Sequence, residues 1–306
     1  MKAFKSILVD VDATVSAHPA LERAVLLARS LGAALTVTDV VTVPPHARHY
    51  LPPTLAENMV LDRRQQLARV ANAVRAEPKL LIGRPATVLI QEVLRSNHDL
   101  LMRSHARELA ASGPKPFGAV DMELLRKCPC PVLLARHGSP ASRPQIAAAV
   151  NASTEDPDEQ ALNAKILEFA LLMASHLEAG PPRVLQVWTA FAERTIRSHS
   201  GDEQFASYVE GAGQRAAADL ARLVRSFEGR LAETQSILRR GEPEDVIPEF
   251  VVAEGIDLVV MGTVARAGIS GMLIGNTAER VLRKLPCSVL TVKPDGFVSP
   301  VRLDPS

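Results

Sequence analysis

From Met261 to Arg280 the chain reads Met-Gly-Thr-Val-Ala-Arg-Ala-Gly-Ile-Ser-Gly-Met-Leu-Ile-Gly-Asn-Thr-Ala-Glu-Arg. Four glycines, Gly262, Gly268, Gly271 and Gly275, give a backbone that can turn back on itself and come close to a ligand. The stretch follows an apolar run and opens a helical one. Gly275-Asn276-Thr277 stands at that helix start, where Asn and Thr are good N-cap residues. Free amides and the positive end of a helix favour a phosphate there, and Arg266 adds charge. The plainer alternative is that the glycines shape a tight connection and Asn276 caps the helix.

Other residue types with chemical potential point less clearly. Cys128-Pro-Cys130 invites a metal or redox reading, but there is no second pair and no nearby His, which tells against zinc. Cys130 recurs as Cys287 in a repeated junction, and Cys128 as Leu285, so small buried core residues are the simpler reading. His46 and His49 flank Arg48 in the 44–53 loop without a metal-ligand spacing. Arg63-Arg64 and Arg239-Arg240 read as solvated helix or strand ends. Asp10 and Asp12 sit in the first apolar run with no evident catalytic partner. Asp10 inside a covered strand is explicable only at an edge or rim. Two tyrosines and one tryptophan, Trp188, give no base-stacking platform.

The elements that must hold the glycine loop come twice. Leu125-Arg-Lys-Cys-Pro-Cys130 returns as Leu282-Arg-Lys-Leu-Pro-Cys287, Gly83-Arg-Pro85 as Gly241-Glu-Pro243, and Asp99-Leu-Leu as Asp257-Leu-Val. Three blocks in one order at an offset of 157 or 158 mark a tandem duplication. Within each copy, short β-rich runs alternate with helical periods. In the first copy the strands fall at 6–12, 35–41, 80–82, 100–102 and 132–134, the helices at 20–31, 55–76, 88–95 and 122–127. In the second, strands at 146–150, 184–187, 236–238, 258–261 and 289–292 alternate with helices at 162–177, 203–231, 246–253 and 278–284. That alternation predicts an α/β fold: two tandem copies of a parallel five-stranded sheet with helices on both faces. Ligands in such sheets sit beyond the carboxyl ends of the strands. The expected units are 1–138 and 143–296, with a tail at 297–306.

At 306 residues and 47% hydrophobic content, the chain is long enough for about two domains, each burying its own core. Net charge is +1, so no global basic field favours nucleic acid. Residues 1–140 hold 18 Lys and Arg against 12 Asp and Glu, a net +6, and residues 141–306 hold 17 against 22, a net −5. Such halves suit either mutual pairing or different partners. Three cysteines fit a reducing compartment rather than a disulfide framework. The apolar stretch 166–179 is too short to span a bilayer and carries Glu168, His176 and Glu178. The expectation is a soluble cytoplasmic protein without a membrane partner.

Over nearly its whole length the chain resembles a tandem universal stress protein. The family's nucleotide motif is Gly, two residues, Gly, nine residues, Gly, then Ser or Thr. Here the spacing holds with Gly262, Ala265, Gly275 and Asn276, and two of the four positions differ. The stretch 262–279 and the duplicated Leu-Arg-Lys-x-Pro-Cys junction are similar to the E-type tandem members. The resemblance implies Rossmann-like units of the adenine nucleotide alpha hydrolase kind, in which loop amides wrap the phosphates. It also implies that a residue ending strand one holds the ribose or adenine: Asn151 in the second copy, Asp12 in the first. Strand-two ends, Trp188 and Val41, would line the adenine side.

The implied second-copy site is then Asn151, Trp188, Gly262, Thr263, Ala265, Arg266, Gly268, Gly275, Asn276 and Thr277, for ATP with Mg²⁺. The first copy keeps Asp12, Val41 and Gly118 but has Ser104 and Arg107 where the second has Gly262 and Ala265. Pro114 and Pro116 remove amides a phosphate would use. Arg103, His105, Arg107 and Lys115 form either a basic anion pocket or a solvated loop. By the resemblance the protein acts in stress by ligand binding rather than turnover, with a weak ATPase as the enzymatic alternative. The competing reading is a scaffold or regulator without nucleotide, holding an apolar or lipid-like ligand. The copies are expected to pair through their last strands, with a further homodimer left open.

Overall fold

The computed structural model describes residues 4–42, 52–104, 117–136, 143–227, 229–231, 236–263 and 274–303. In the first copy β1 (Ser6–Asp10), β2 (Ala34–Val41), β3 (Glu77–Ile82), β4 (Leu100–Ser104) and β5 (Val132–Ala135) alternate with α1 (Pro19–Leu31), α2 (Pro53–Ala73), α3 (Pro85–Ser96) and α4 (Ala119–Lys127). In the second, β6 (Ile146–Val150), β7 (Arg183–Trp188), β8 (Ser236–Arg240), β9 (Leu258–Gly262) and β10 (Ser288–Val292) alternate with α5 (Pro157–His176), α6 (Glu193–His199), α7 (Asp202–Arg225), α8 (Pro243–Ala253) and α9 (Asn276–Lys284). β1 stops at Asp10, two residues before the predicted end. The helix predicted at 203–231 ends at Arg225, and the short α6 ahead of it is an addition.

The repeated blocks have structural causes. Gly83 and Gly241 have φ of 146° and 139°, and a Cβ on either would stand 2.7 Å from Val88 or Val246. Only glycine turns the chain there from strand into a proline-started helix. Asp99 accepts from the amides of Lys5 and Ser6 at 2.7 and 3.0 Å, and Asp257 from the amide of Gln145 at 2.8 Å. Each carboxylate thus ties the start of its copy's first strand to the fourth.

The strands form one ten-stranded sheet in the order β3-β2-β1-β4-β5-β10-β9-β6-β7-β8. All pairings within a copy are parallel, and β5 meets β10 antiparallel, with Leu133 opposite Leu290. The cores divide by face rather than by copy. One cluster gathers Ile7, Val9, Leu27 and Met102 with Ile166, Leu167, Val260 and Val292. The other gathers Leu8, Ile90 and Leu125 with Ile247, Val259 and Leu282.

Two basic residues at equivalent positions reach across the junction. Arg136, after β5, donates to the carbonyl of Leu285 at the end of α9 at 2.7 Å. Lys293, after β10, donates to the carbonyl of Leu125 in the last turn of α4. Both meet the negative end of a helix. Arg126 and Glu279 add an ion pair between α4 and α9 at 2.7 Å. Among the described residues no helix is long and apolar enough to cross a membrane.

Candidate functional site

A cavity of about 450 Å³ opens at the carboxyl ends of β6 and β9. Ala149, Val150, Leu162, Ile166, Leu185, Val187, Ile247, Met261 and Val281 make its walls, so its body is apolar. Its polar groups are Asn151, Glu159, Asn163, Thr263, Asn276 and Thr277. The parallel strands deliver the ends of β6 and β9 to one rim, α5 lines one side with Glu159, Leu162, Asn163 and Ile166, and the first turn of α9 lines another with Asn276, Thr277 and Ala278. The amides of that turn have no acceptor within the helix.

Asn276 is the first residue of α9, and the N-cap is Gly275, which makes no side-chain cap bond. The sequence expectation that Asn276 caps the helix is therefore corrected by one residue. Gly275 has ordinary φ, and a methyl group placed on it would find the Thr263 carbonyl oxygen, at 4.0 Å, as its nearest neighbour. Among the described residues nothing else comes within 4 Å of that position. Its amide donates to that same Thr263 oxygen at 2.8 Å, which closes the base of the loop. Gly262 differs: a Cβ there would lie 2.8 Å from Leu162 Cδ2, so packing of α5 on β9 demands glycine. Ala265, Arg266 and Gly268 lie outside the described residues.

Asn151 is exposed at the rim. Asn163 of α5 grips its backbone from both sides, accepting from its amide at 3.0 Å and donating to its carbonyl at 2.7 Å. The Asn151 side chain donates to Glu159 at 3.5 Å, so a carboxylate stands beside the strand-one end after all, supplied by α5. Sequence reasoning missed Glu159 and Asn163. Their signal was a four-residue spacing near the start of α5, which puts both on one helix face. Trp188 is not among the cavity residues. Its ring lies against the backbone of Gly213 on α7 and under the guanidinium of Arg240 at 5.9 Å. The space it would occupy in the pocket is left to Val187.

The equivalent place in the first copy is filled with charge. Ile7 pairs with Leu100 as Ile146 does with Leu258, so Asp10 corresponds to Ala149 and Arg103 to Met261. The N-caps Gly118 and Gly275 make Asp121 the counterpart of Ala278. Arg103 lies between the buried carboxylates, ion-paired to Asp10 and, at 3.1 Å, to Asp121. Asp10 is thus no rim residue: it is buried in a central strand and balanced by its cross-strand neighbour. Arg103 belongs to that strand pair and not to a basic loop pocket; His105, Arg107 and Lys115 lie outside the described residues. Where the second copy has two alanines and a methionine around a cavity, the first has an ion triad.

Asp12 is also engaged. It accepts from the amide and hydroxyl of Thr14 and from Arg63, which bridges to the buried Asp39 at 2.9 Å. Burial pushes the Asp12 carboxyl up, but Thr14 and Arg63 outweigh it and hold it below its ordinary value. Arg63 is accordingly a structural cation of α2, not a solvated end. Arg240 likewise pairs with Glu193. Val41 ends β2 half-buried, and Gly118 serves as the α4 N-cap, its amide donating to Asp121 at 3.0 Å.

A family model described as the universal stress protein family matches residues 3–136 and 156–293. Universal stress protein E of Escherichia coli K12 is 30% identical over 318 aligned residues, which cover 99% of this chain and 98% of that protein. Universal stress protein E of Photorhabdus laumondii is 28% identical over 314, covering 99% of each. Among solved structures, a functionally unknown protein from Pseudomonas aeruginosa PAO1 superposes with a TM-score of 0.69 at 26% identity, covering 96% of this chain and 94% of that one. A universal stress protein from Archaeoglobus fulgidus shares the fold, with a TM-score of 0.64 at 16% identity over 94% and 96% of the two chains. With two family domains and E-type relatives aligned end to end, this chain belongs to the universal stress protein family as a tandem, E-type member.

Proposed function

We propose that the protein is a stress-response binding protein whose second domain holds an adenine nucleotide, the first domain being its structural partner. The observation that carries this is the cavity itself. It joins an apolar slot to a helix start whose first amides have no acceptor within the helix and whose N-cap glycine is uncrowded among the described residues. The adenine would lie between Leu162, Ile166, Leu185, Val187 and Ile247. Asn151 and Glu159 would accept or donate to the ribose hydroxyls. The amides of Asn276, Thr277 and Ala278 and the Thr277 hydroxyl would hold phosphate oxygens, so Thr277 stands in for the hydroxyl that Asn276 lacks. ATP with Mg²⁺ would supply there a charge whose presence or absence the protein reports. The protein acts by occupancy rather than turnover.

Thermal unfolding with and without millimolar Mg-ATP tests this, with a mass spectrum of the protein as purified. An upward shift that Gly275→Val abolishes supports it; no shift and no bound nucleotide overturns it. A second reading rests on the walls: their apolar side chains suit a greasy ligand in a nucleotide-free regulator. A co-purified apolar mass would select that reading.

A further inference from the structure

Cys128 and Cys130 lie outside the domain 2 cavity, and the nucleotide reading does not use them. Cys128 is the C-cap of α4 and fully buried, Cys130 is 9% exposed, and their sulfurs stand 3.5 Å apart. Pro129 between them has a fixed φ, which restrains the two thiols to this spacing. Beside them is Lys293, 4% exposed. Its ammonium meets the Leu125 carbonyl, the Thr263 hydroxyl at 3.3 Å and the Phe297 ring at 4.8 Å. No carboxylate is among its described partners. A buried cation is costly without an anion nearby, and the charges acting on this one are the two sulfurs.

The two thiols are not equivalent. Burial pushes Cys128 up, but its hydrogen bonds with Cys130 and the Lys293 charge outweigh it and leave Cys128 below the ordinary thiol value. The bond with Cys128, together with burial and the Cys128 and Asp99 charges, raises Cys130. Burial lowers the Lys293 amine to about 8, against the pull of the sulfurs. Cys287 has no such neighbour thiol, and burial pushes it up to about 12 despite Arg136.

We propose that Cys128 and Cys130 are a peroxide-responsive dithiol that closes to an intramolecular disulfide, with Lys293 as the proton donor to the leaving hydroxide. The Cys128 thiolate attacks one oxygen of hydrogen peroxide, the O–O bond breaks, and the departing hydroxide takes a proton from Lys293 to leave as water. Cys128 is then a sulfenic acid. Cys130 attacks its sulfur, the S–O bond breaks, and the Cys130 proton leaves with the hydroxyl as a second water. One thiolate and one thiol lose two electrons between them, one peroxide gains them, and Lys293 is left as a neutral amine. The disulfide removes the anion beside the residue that touches Thr263 in the cavity wall.

The test uses full-length protein titrated with hydrogen peroxide, alkylated, digested with trypsin and weighed. The expected product is peptide 128–136 lighter by two hydrogen atoms, with Cys287 still alkylated. Cys130→Ser should instead leave a Cys128 sulfenic acid that dimedone traps. Lys293→Met should slow oxidation about tenfold for each unit by which the Cys128 thiol rises. Any of three results overturns the proposal: a 128–136 dithiol that survives peroxide until urea is added, oxidation of Cys287 at an equal rate, or disulfides between chains on a non-reducing gel. Should Lys293→Met oxidise as fast as the parent with unchanged circular dichroism, the role of Lys293 is overturned. If that variant does not fold, the parent peptide and Cys130→Ser decide the matter.

Discussion

At Gly262 a methyl group would stand 2.8 Å from Leu162, whereas at Gly275 the nearest atom is 4.0 Å away. The two glycines of one motif therefore answer to different demands. Gly262→Ala is expected to lower stability by about 1–3 kcal/mol, as overpacking does. Gly275→Ala should stay within about 0.5 kcal/mol of the parent and act on ligand binding instead. Urea unfolding of both, followed by nucleotide titration of Gly275→Ala, separates packing from function. Lys293 carries a prediction of its own. With the folded amine at about 8 and the ordinary value 10.5, both states are protonated below pH 8 and the burial cost is fully present. Between those values the unfolded chain holds a proton that the folded one has released, so stability rises with pH. Relative to Lys293→Met, the parent should gain up to about 3 kcal/mol across that window, read from urea unfolding at a series of pH values.

Strand for strand the two copies are alike, and what distinguishes them is what fills the mouth of each sheet. Arg103→Met alone would leave the Asp10 and Asp121 carboxylates buried without their shared cation, at about 3–5 kcal/mol. Adding Asp10→Ala and Asp121→Ala gives the first copy the second copy's residues. That triple variant is expected to recover most of the loss, short of about 1 kcal/mol for the α4 N-cap bond, and to open a cavity. Unfolding free energies, and uptake of a small apolar probe in the triple variant alone, check both parts. The strands, most helices and the duplication were legible because periodicity and repeated blocks are local signals. The triad was not. Asp10 and Arg103 are 93 positions apart, and only the parallel register of β1 on β4 makes them neighbours. Glu159 escaped notice for a related reason: it comes from a helix face, while the motif lies on strand ends and loop. Trp188 was placed by analogy of position, but the small Gly213 on α7 gave its ring another seat.

The ten strands share two face-wise cores, each continuous across the junction of the copies. Calorimetry is expected to show one unfolding transition and not two. A ligand at one hundred times its dissociation constant should stabilise the entire chain by about 2.7 kcal/mol, although it touches only the second copy. A separate low-temperature transition, unmoved by ligand, would contradict this. Each half packs its helices on its own strands, and the junction strands join the two cores on both faces, which no local pattern records.

The antiparallel meeting of β5 and β10 also fixes stoichiometry. Partners joined by a covalent tether face each other at an effective concentration that dilution does not change. The inner edge of each half is already occupied by the other, so a free subunit of similar fold finds no strand to pair with there. On the binding role proposed above, occupancy of the second-copy cavity would then follow ligand level without a subunit-pairing step at this edge.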